Sequence, residues 1–416
     1  MVPHRPTRAQ STQMVLPNCS VQRWINTNTT PGARGEQFME GFDEEFVDIT
    51  DYIVTITHRI WEEKGVGRIY DYYQPNCSVH TSYGLSYGRE EVVAGTLKLL
   101  SAFPDRQLHA DDVIWAGNDK DGYHTSHRIT SEGKNTGYSA YGPPTGRKVV
   151  WRAIANCFVK DNRIVEEWLV RDELNLVQQL GFDGQEIAAK LAQEGAVKDI
   201  LQHGHGEIDR VLGQTTPEAL PPKPSGDFDI EDFVRRSYHE IWNWRRLDRI
   251  PSLYSEDYLG HTVSGRELDG LGEYTEFVLS MLGMFPDAKM TIDHLYWNAD
   301  EAETYRVAVR WSLVGTHNGP GVYGEPTGRR VHIMGISHHQ VREGRFVEEW
   351  SVFDEIALLK QLHTPDVSAH APESDGENPP DANPHAPSQV GENPSDLRDQ
   401  PPDMQGEHLQ DAPEQN

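Results

Sequence analysis

Between Ile49 and Trp61 the apolar side chains recur at steps of three and four: Ile49, Tyr52, Ile53, Ile56, Ile60 and Trp61. That spacing predicts an amphipathic helix, and Asp48 stands where a capping carboxylate would. Ile230, Phe233, Val234, Ile241 and Trp242 repeat the pattern. A second helix is expected from Val92 to Leu100 and again from Tyr274 to Leu282, each stopping before Phe-Pro-Asp. Beyond that point the period falls to two, with Val307, Val309 and Trp311 alternating with Ala308 and Arg310, which predicts strand. The turns Tyr141-Gly-Pro-Pro-Thr-Gly-Arg and Tyr323-Gly-Glu-Pro-Thr-Gly-Arg follow. Two further strands are expected after each, at 149–159 and 163–170 and at 331–341 and 345–352, hinged at Lys160-Asp161-Asn162 and Arg342-Glu343-Gly344. Helices first and an antiparallel meander afterwards predict an α+β fold with the helices on one sheet face.

The elements come in two sets because the chain is duplicated. RIVEEWLVRDELNLVQQL at 163–180 and RFVEEWSVFDEIALLKQL at 345–362 agree at 11 of 18 positions. The copies align at an offset of 181 from Asp48 against Asp229 to Gly84 against Gly265, and at 182 from Phe103 against Phe285 to Leu180 against Leu362. Two copies are too few for a solenoid and predict tandem globular domains, at 46–182 and 227–362. Residues 1–45 mix Pro, Gly, Thr and Asn without period and are expected to be mobile. Residues 183–226 read as a connector, helical over 184–213 and Pro-rich from Pro217 to Pro224. The segment 363–416 holds ten prolines and repeats Gly-Glu-Asn-Pro at 376 and 391, which predicts a disordered tail.

Charge narrows the partners. The 416 residues hold 38 Lys and Arg against 65 Asp and Glu, a net charge of −27, and binding to a nucleic-acid backbone needs a basic stripe. The tail carries −11 of this, from 12 acids and one Arg. Three cysteines, Cys19, Cys77 and Cys157, fit neither a disulfide framework nor a zinc site and point to a reducing compartment. No apolar run approaches the ~18 residues of a membrane helix and the N-terminus lacks a signal-peptide core. The expectation is a cytoplasmic protein with neither nucleic acid nor membrane as partner.

Candidate chemistry lies where the repeats agree. Glu166, Trp168, Val170 and Asp172 share a face by period two, as do Glu348, Trp350, Val352 and Asp354. With Trp and Val facing the interior, the acid would enter an apolar pocket, where desolvation lifts a carboxyl toward the range useful for proton transfer. Asp followed by Glu-Leu/Ile-x-Leu is equally a helix N-cap, and one residue can do both. His80 and His261 match in the segment between the first two helices, either as acid/base partners or as hydrogen-bonded structural histidines. Trp61 and Tyr73 with Trp242 and Tyr254 are aromatic positions of core or substrate platform. The Pro-Thr-Gly-Arg turn lacks a Gly-Lys-Ser/Thr ending and does not lead into a helix, so it is not a phosphate loop. His317, His338 and His339 correspond to Asn135, Asn156 and Cys157, which argues against a metal site.

Three motifs carry a family resemblance: Gly-Thr-His-x-Gly at 315–319, Pro-Thr-Gly-Arg at 144–147 and 326–329, and Gly-Arg-Phe-Val-Glu-Glu-Trp-x-x-x-Asp followed by Leu-Leu-x-Gln-Leu at 344–362. The chain resembles the SnoaL-like polyketide cyclases of the nuclear transport factor 2-like superfamily over about two-thirds of its length. The resemblance implies two cone-shaped α+β domains, each with N-terminal helices on a curved, mainly antiparallel sheet. It also implies intramolecular aldol ring closure of a polyketide ester without metal or cofactor. Asp172 and Asp354 would be the general acid/base, His80 and His261 pocket histidines, and Trp61, Tyr73, Trp168, Trp242, Tyr254 and Trp350 substrate contacts. The first copy departs from the pattern at Lys134-Asn135-Thr136. The superfamily also hosts isomerases, dehydratases and small-ligand binding modules, and tandem domains are expected to pack sheet against sheet as a pseudo-dimer.

Overall fold

The computed structural model describes residues 39–194, 216–223, 225–301 and 304–364. The first repeat runs α1 (Ile49–Trp61), α2 (Ile69–Tyr72), β1 (Tyr73–Thr81), β2 (Gly84–Tyr87), α3 (Arg89–Ala102), β3 (Gln107–Asn118), β4 (Gly122–Lys134), β5 (Lys148–Lys160), β6 (Arg163–Arg171) and α4 (Glu173–Leu180). A connecting helix α5 covers Gly184–Glu194. The second repeat follows with α6 (Ile230–Tyr238), a π-helical turn at His239–Asn243, α7 (Ile250–Leu253), β7 (Tyr254–His261), β8 (Glu267–Asp269), α8 (Gly270–Met284), β9 (Lys289–Glu301), β10 (Thr304–Thr316), β11 (Arg330–Arg342), β12 (Arg345–Phe353) and α9 (Glu355–His363).

Each repeat forms a six-stranded sheet, ordered β2-β1-β6-β5-β4-β3 and β8-β7-β12-β11-β10-β9. The pairs β1–β6 and β7–β12 are parallel and the others antiparallel. The hinges between β5 and β6 and between β11 and β12 are tight turns, with Asp161, Asn162, Glu343 and Gly344 all at positive φ, as a two-residue turn of the primed type requires. Asp48 and Asp229 cap α1 and α6 through Asp51 N and Asp232 N. The boundary expected at residue 45 moves: Met39 is buried and Phe42 packs on the first core, while Asn162 donates to the Asp43 carboxylate at 2.9 Å. Residues 1–38, 195–215 of the connector and the tail after Thr364 lie outside the described residues. No helix among the described residues is long and apolar enough to cross a membrane.

Residues paired in register share a sheet face. On the first sheet Thr125, Cys157 and Glu167 form one such row, and Ser126, Asn156 and Trp168 the next. The first row faces inward to α1 and α3, where Ile49, Ile53, Ile56 and Ile60 meet Cys77, Cys157 and Val159. The second row faces the other repeat. Ser126 Oγ lies 2.7 Å from His338 Nε2, Asn298 Nδ2 donates to Trp115 O at 2.9 Å, and Arg306 pairs with Asp112. Arg310 lies 3.7 Å above the Trp168 ring and Arg128 lies 3.8 Å above Trp350. These are equivalent residues under the 182 offset, so the two outer faces pack with approximate two-fold symmetry.

Candidate functional site

The final strands β6 and β12 each carry an irregularity in pairing near their second residue. It sets the face of everything downstream. Glu166, Trp168, Val170 and Asp172 do share a face, but it is the one turned to the other repeat, and Glu167 takes the inward position. The expectation of an inward Trp168 and Trp350 is thereby corrected: a one-residue bulge exchanges the faces of a period-two pattern.

Asp172 and Asp354 follow the last strand residues and cap α4 and α9, accepting from Asn175 N at 3.4 Å and Ala357 N at 2.9 Å. Each also meets the other repeat. Both Asp172 oxygens accept from Ser264 N at 2.9 Å. The Asp354 carboxyl lies beside the Tyr83 hydroxyl. Positions 83 and 264 are equivalents under the 181 offset, at or just beyond the end of β1 and of β7. The next residue is acidic in both copies. Glu173 accepts from Tyr141 Oη at 2.5 Å and pairs with Arg171 at 3.5 Å. Glu355 accepts from Tyr323 Oη at 2.8 Å, from Arg266 at 2.5 Å and from Ser264 Oγ. Two clusters result, each combining one repeat's glutamate with the other repeat's aspartate.

Burial dominates their electrostatics. Asp172 and Asp354 are 3% and 5% exposed. Desolvation pushes the Asp172 carboxyl up to about 6, against the pull of the Ser264 amide and with a further push from Glu355. Desolvation and the Glu173 charge lift Asp354 well above the usual carboxylate range.

The histidines stand on strands rather than in a loop, because residues 73–81 and 254–261 pair with the final strand. His80 stacks on Trp168 with ring centroids 5.0 Å apart and lies 2.7 Å from Glu166 Oε1. His261 stacks on Trp350 at 5.2 Å and meets Glu348 at 3.1 Å and Glu267. The sequence thus pairs histidine with tryptophan on the outer face, and their carboxylate partners are Glu166 and Glu348 rather than the aspartates. Trp61, Tyr73, Trp242 and Tyr254 lie on the inner side. Trp61 Nε1 donates to Thr96 Oγ1 at 3.1 Å, Tyr73 Oη donates to Glu167 at 3.0 Å, and the hydroxyls of Tyr254 and Tyr274 are 2.6 Å apart. Trp242 hydrogen-bonds near Tyr274.

Glu167, Glu173, Glu355, Tyr83, Tyr141, Tyr323 and Ser264 were not singled out by spacing. The repeated Asp-Glu pair and the second acid of Glu-Glu-Trp carried the signal for the three carboxylates. The tyrosines and Ser264 sit in segments remote in sequence.

Residues 51–180 and 232–362 each match the profile of the family described as SnoaL-like polyketide cyclase. Among solved structures, a protein of that description from Jannaschia sp. CCS1 is 17% identical, covering 34% of this chain and 100% of its own at a TM-score of 0.30. IdmH from Streptomyces antibioticus is 24% identical over 32% of this chain and 96% of its own, at a TM-score of 0.28. A SnoaL-like polyketide cyclase from Agrobacterium tumefaciens is 20% identical over 33% and 99%, also at 0.28. Among curated proteins none matches the chain.

Proposed function

The chain belongs to the SnoaL-like polyketide cyclase family, and from that premise we propose that it closes a ring in a small hydrophobic, polyketide-like carbonyl compound by cofactor-independent aldol chemistry. The observation that carries this reading is a buried aspartate at the matched end of both final strands, held against the opposite repeat and displaced toward neutral pH. In either copy a carboxyl lifted toward neutral pH, to about 6 at Asp172, serves as its own site's base when ionised and as its acid once it holds the proton. Burial and the Glu173 charge lift Asp354 well above the usual carboxylate range, which suits it to the same exchange.

The chemistry balances without an outside reagent. The base removes the α-proton, the enolate carbon bonds to a second carbonyl carbon of the same molecule, and that carbonyl's π electrons move to its oxygen. A protonated carboxyl then returns a proton to the alkoxide. Both reacting carbons belong to one molecule, so holding it coiled supplies rate through effective molarity. Tyr83 and Tyr141, beside Asp354 and Glu173, stay protonated because burial raises both hydroxyls, and they are neutral donors suited to a developing oxyanion.

Serine caps a helix about as well as aspartate but carries no titratable proton near neutral pH. Asp354→Ser and Asp172→Ser should therefore melt within about 1 kcal/mol of wild type. Turnover of a linear polyketide ester should fall about 10²–10⁴-fold in the variant whose site is active. Normal melts with full turnover in both variants would remove the acid/base role.

A further inference from the structure

The two interiors are not alike. Along the inner face and the helices over it, the second repeat carries Tyr238, Tyr258, Tyr274, Trp311 and His339 where the first has Thr57, Cys77, Val92, Ile129 and Cys157. The large side chains bond to one another. Tyr238 Oη lies 2.8 Å from His339 Nε2, Tyr258 Oη donates to Glu349 at 2.8 Å, and Trp311 Nε1 donates to Ser337 Oγ at 3.0 Å. Ser337 Oγ also donates to Glu349 at 3.2 Å. Gly335 makes the room for Trp311, since a Cβ there would stand 2.1 Å from the indole. The second interior is filled by its own side chains.

In the first repeat smaller side chains line the matching space. Ala155 lies on the inner face of a central strand yet stays partly accessible, whereas its counterpart Ser337 is 0% exposed. Trp61 and Val92 are likewise partly accessible, whereas Trp242 and Tyr274 are buried. Beside Ala155 in register stands His127, 2% exposed, whose Nε2 has no hydrogen-bond partner among the described residues. An unpartnered buried polar atom next to a partly accessible apolar position is suited to a ligand's hydrogen bond.

We propose that the chain has a single small-molecule site, the interior of the first repeat, which takes a neutral hydrophobic carbonyl compound hydrogen-bonded to His127, while the second repeat's interior is a packed core. Neutrality follows from the surroundings. Burial pushes the His127 imidazole down to about 3, so it offers an anion no positive charge. The inference rests on the proposed function only for the class of ligand. It also gives Asp354 a place: through Tyr83 and Tyr141, which pack with Phe103 and Trp151, the second repeat's aspartate lies against the first repeat's core rather than its own.

The test uses the full chain and the neutral fluorescent ketone prodan, followed by its blue shift on leaving water. Wild type should bind one equivalent. Ile129→Trp with Ala153→Gly installs the second repeat's own Trp–Gly solution, keeps a packed interior, and should weaken binding more than 10-fold. His127→Val, the second repeat's residue, should weaken it about 5–10-fold, the loss expected of one hydrogen bond. Prodan binding is read without turnover, which separates failure of this site from failure of the acid/base reading. No binding, two equivalents in wild type, or wild-type affinity in a normally melting Ile129→Trp/Ala153→Gly or His127→Val protein would each overturn the proposal.

Discussion

Replacing Asp172 by Asn tests whether burial or hydrogen bonding governs that carboxyl. Asparagine keeps an oxygen for the Ser264 and Asn175 amides and still caps α4, so what it removes is ionisation. In the folded chain the carboxyl titrates at about 6 against an ordinary 3.8. Below 3.8 both states hold the proton and its contribution to stability is complete. As pH rises the unfolded chain ionises first, and stability is lost until the pH passes 6. At about 1.4 kcal/mol per pH unit the loss is about 3 kcal/mol. Asp172→Asn should therefore gain about 2.5 kcal/mol on wild type between pH 4 and pH 7. Urea titrations followed by tryptophan fluorescence at pH 4, 5, 6 and 7 measure it, and taking the difference between the proteins cancels groups common to both. Parallel stability profiles would refute the reasoning, and an opposite slope would show that the two amides outweigh desolvation.

Two other perturbations address the interface and the second core. Arg306 pairs with Asp112 across the repeats and, at 2.8 Å, with Asp300. Burial works against the Asp112 charge, but His338, Arg306 and Arg128 together hold its carboxyl well below the usual range. Arg306→Met should cost about 3–5 kcal/mol at neutral pH, the price of an abandoned buried charge. The deficit should shrink toward pH 3 as the aspartates protonate, and urea melts at both pH values read it. Gly335→Ala should lower stability by about 1–3 kcal/mol because the added methyl meets the buried Trp311 ring. Ala already occupies the equivalent position 153 in the first repeat, beside Ile129, and an unchanged melt for Gly335→Ala would show that Trp311 can yield.

Much of the architecture was legible along the chain. The offset of 181–182 named two like domains, and the helix and strand periods placed α1, α3, β5, β6 and their partners within four residues of where they fold. The caps Asp48, Asp172, Asp229 and Asp354 were readable because capping is a local matter of one side chain and the amides three residues on. Strands β1 and β7 were not, since a segment that pairs in parallel with a strand some 85 residues later shows no local partner. Period two showed that Trp168 and Asp172 share a face but not which face. A pairing irregularity two residues into β6 decided that, and it is defined only by the pairing with β5. The contrast between Cys157 and His339 or Ile129 and Trp311 was visible in the alignment, yet only the sheet register gathers those positions around one interior. The raised carboxyls are further still from the sequence. Asp172 and Asp354 are unusual because Ser264 and Tyr83, contributed by the opposite repeat, cover them from solvent, and desolvation is a property of the packed pair of domains rather than of any stretch of chain.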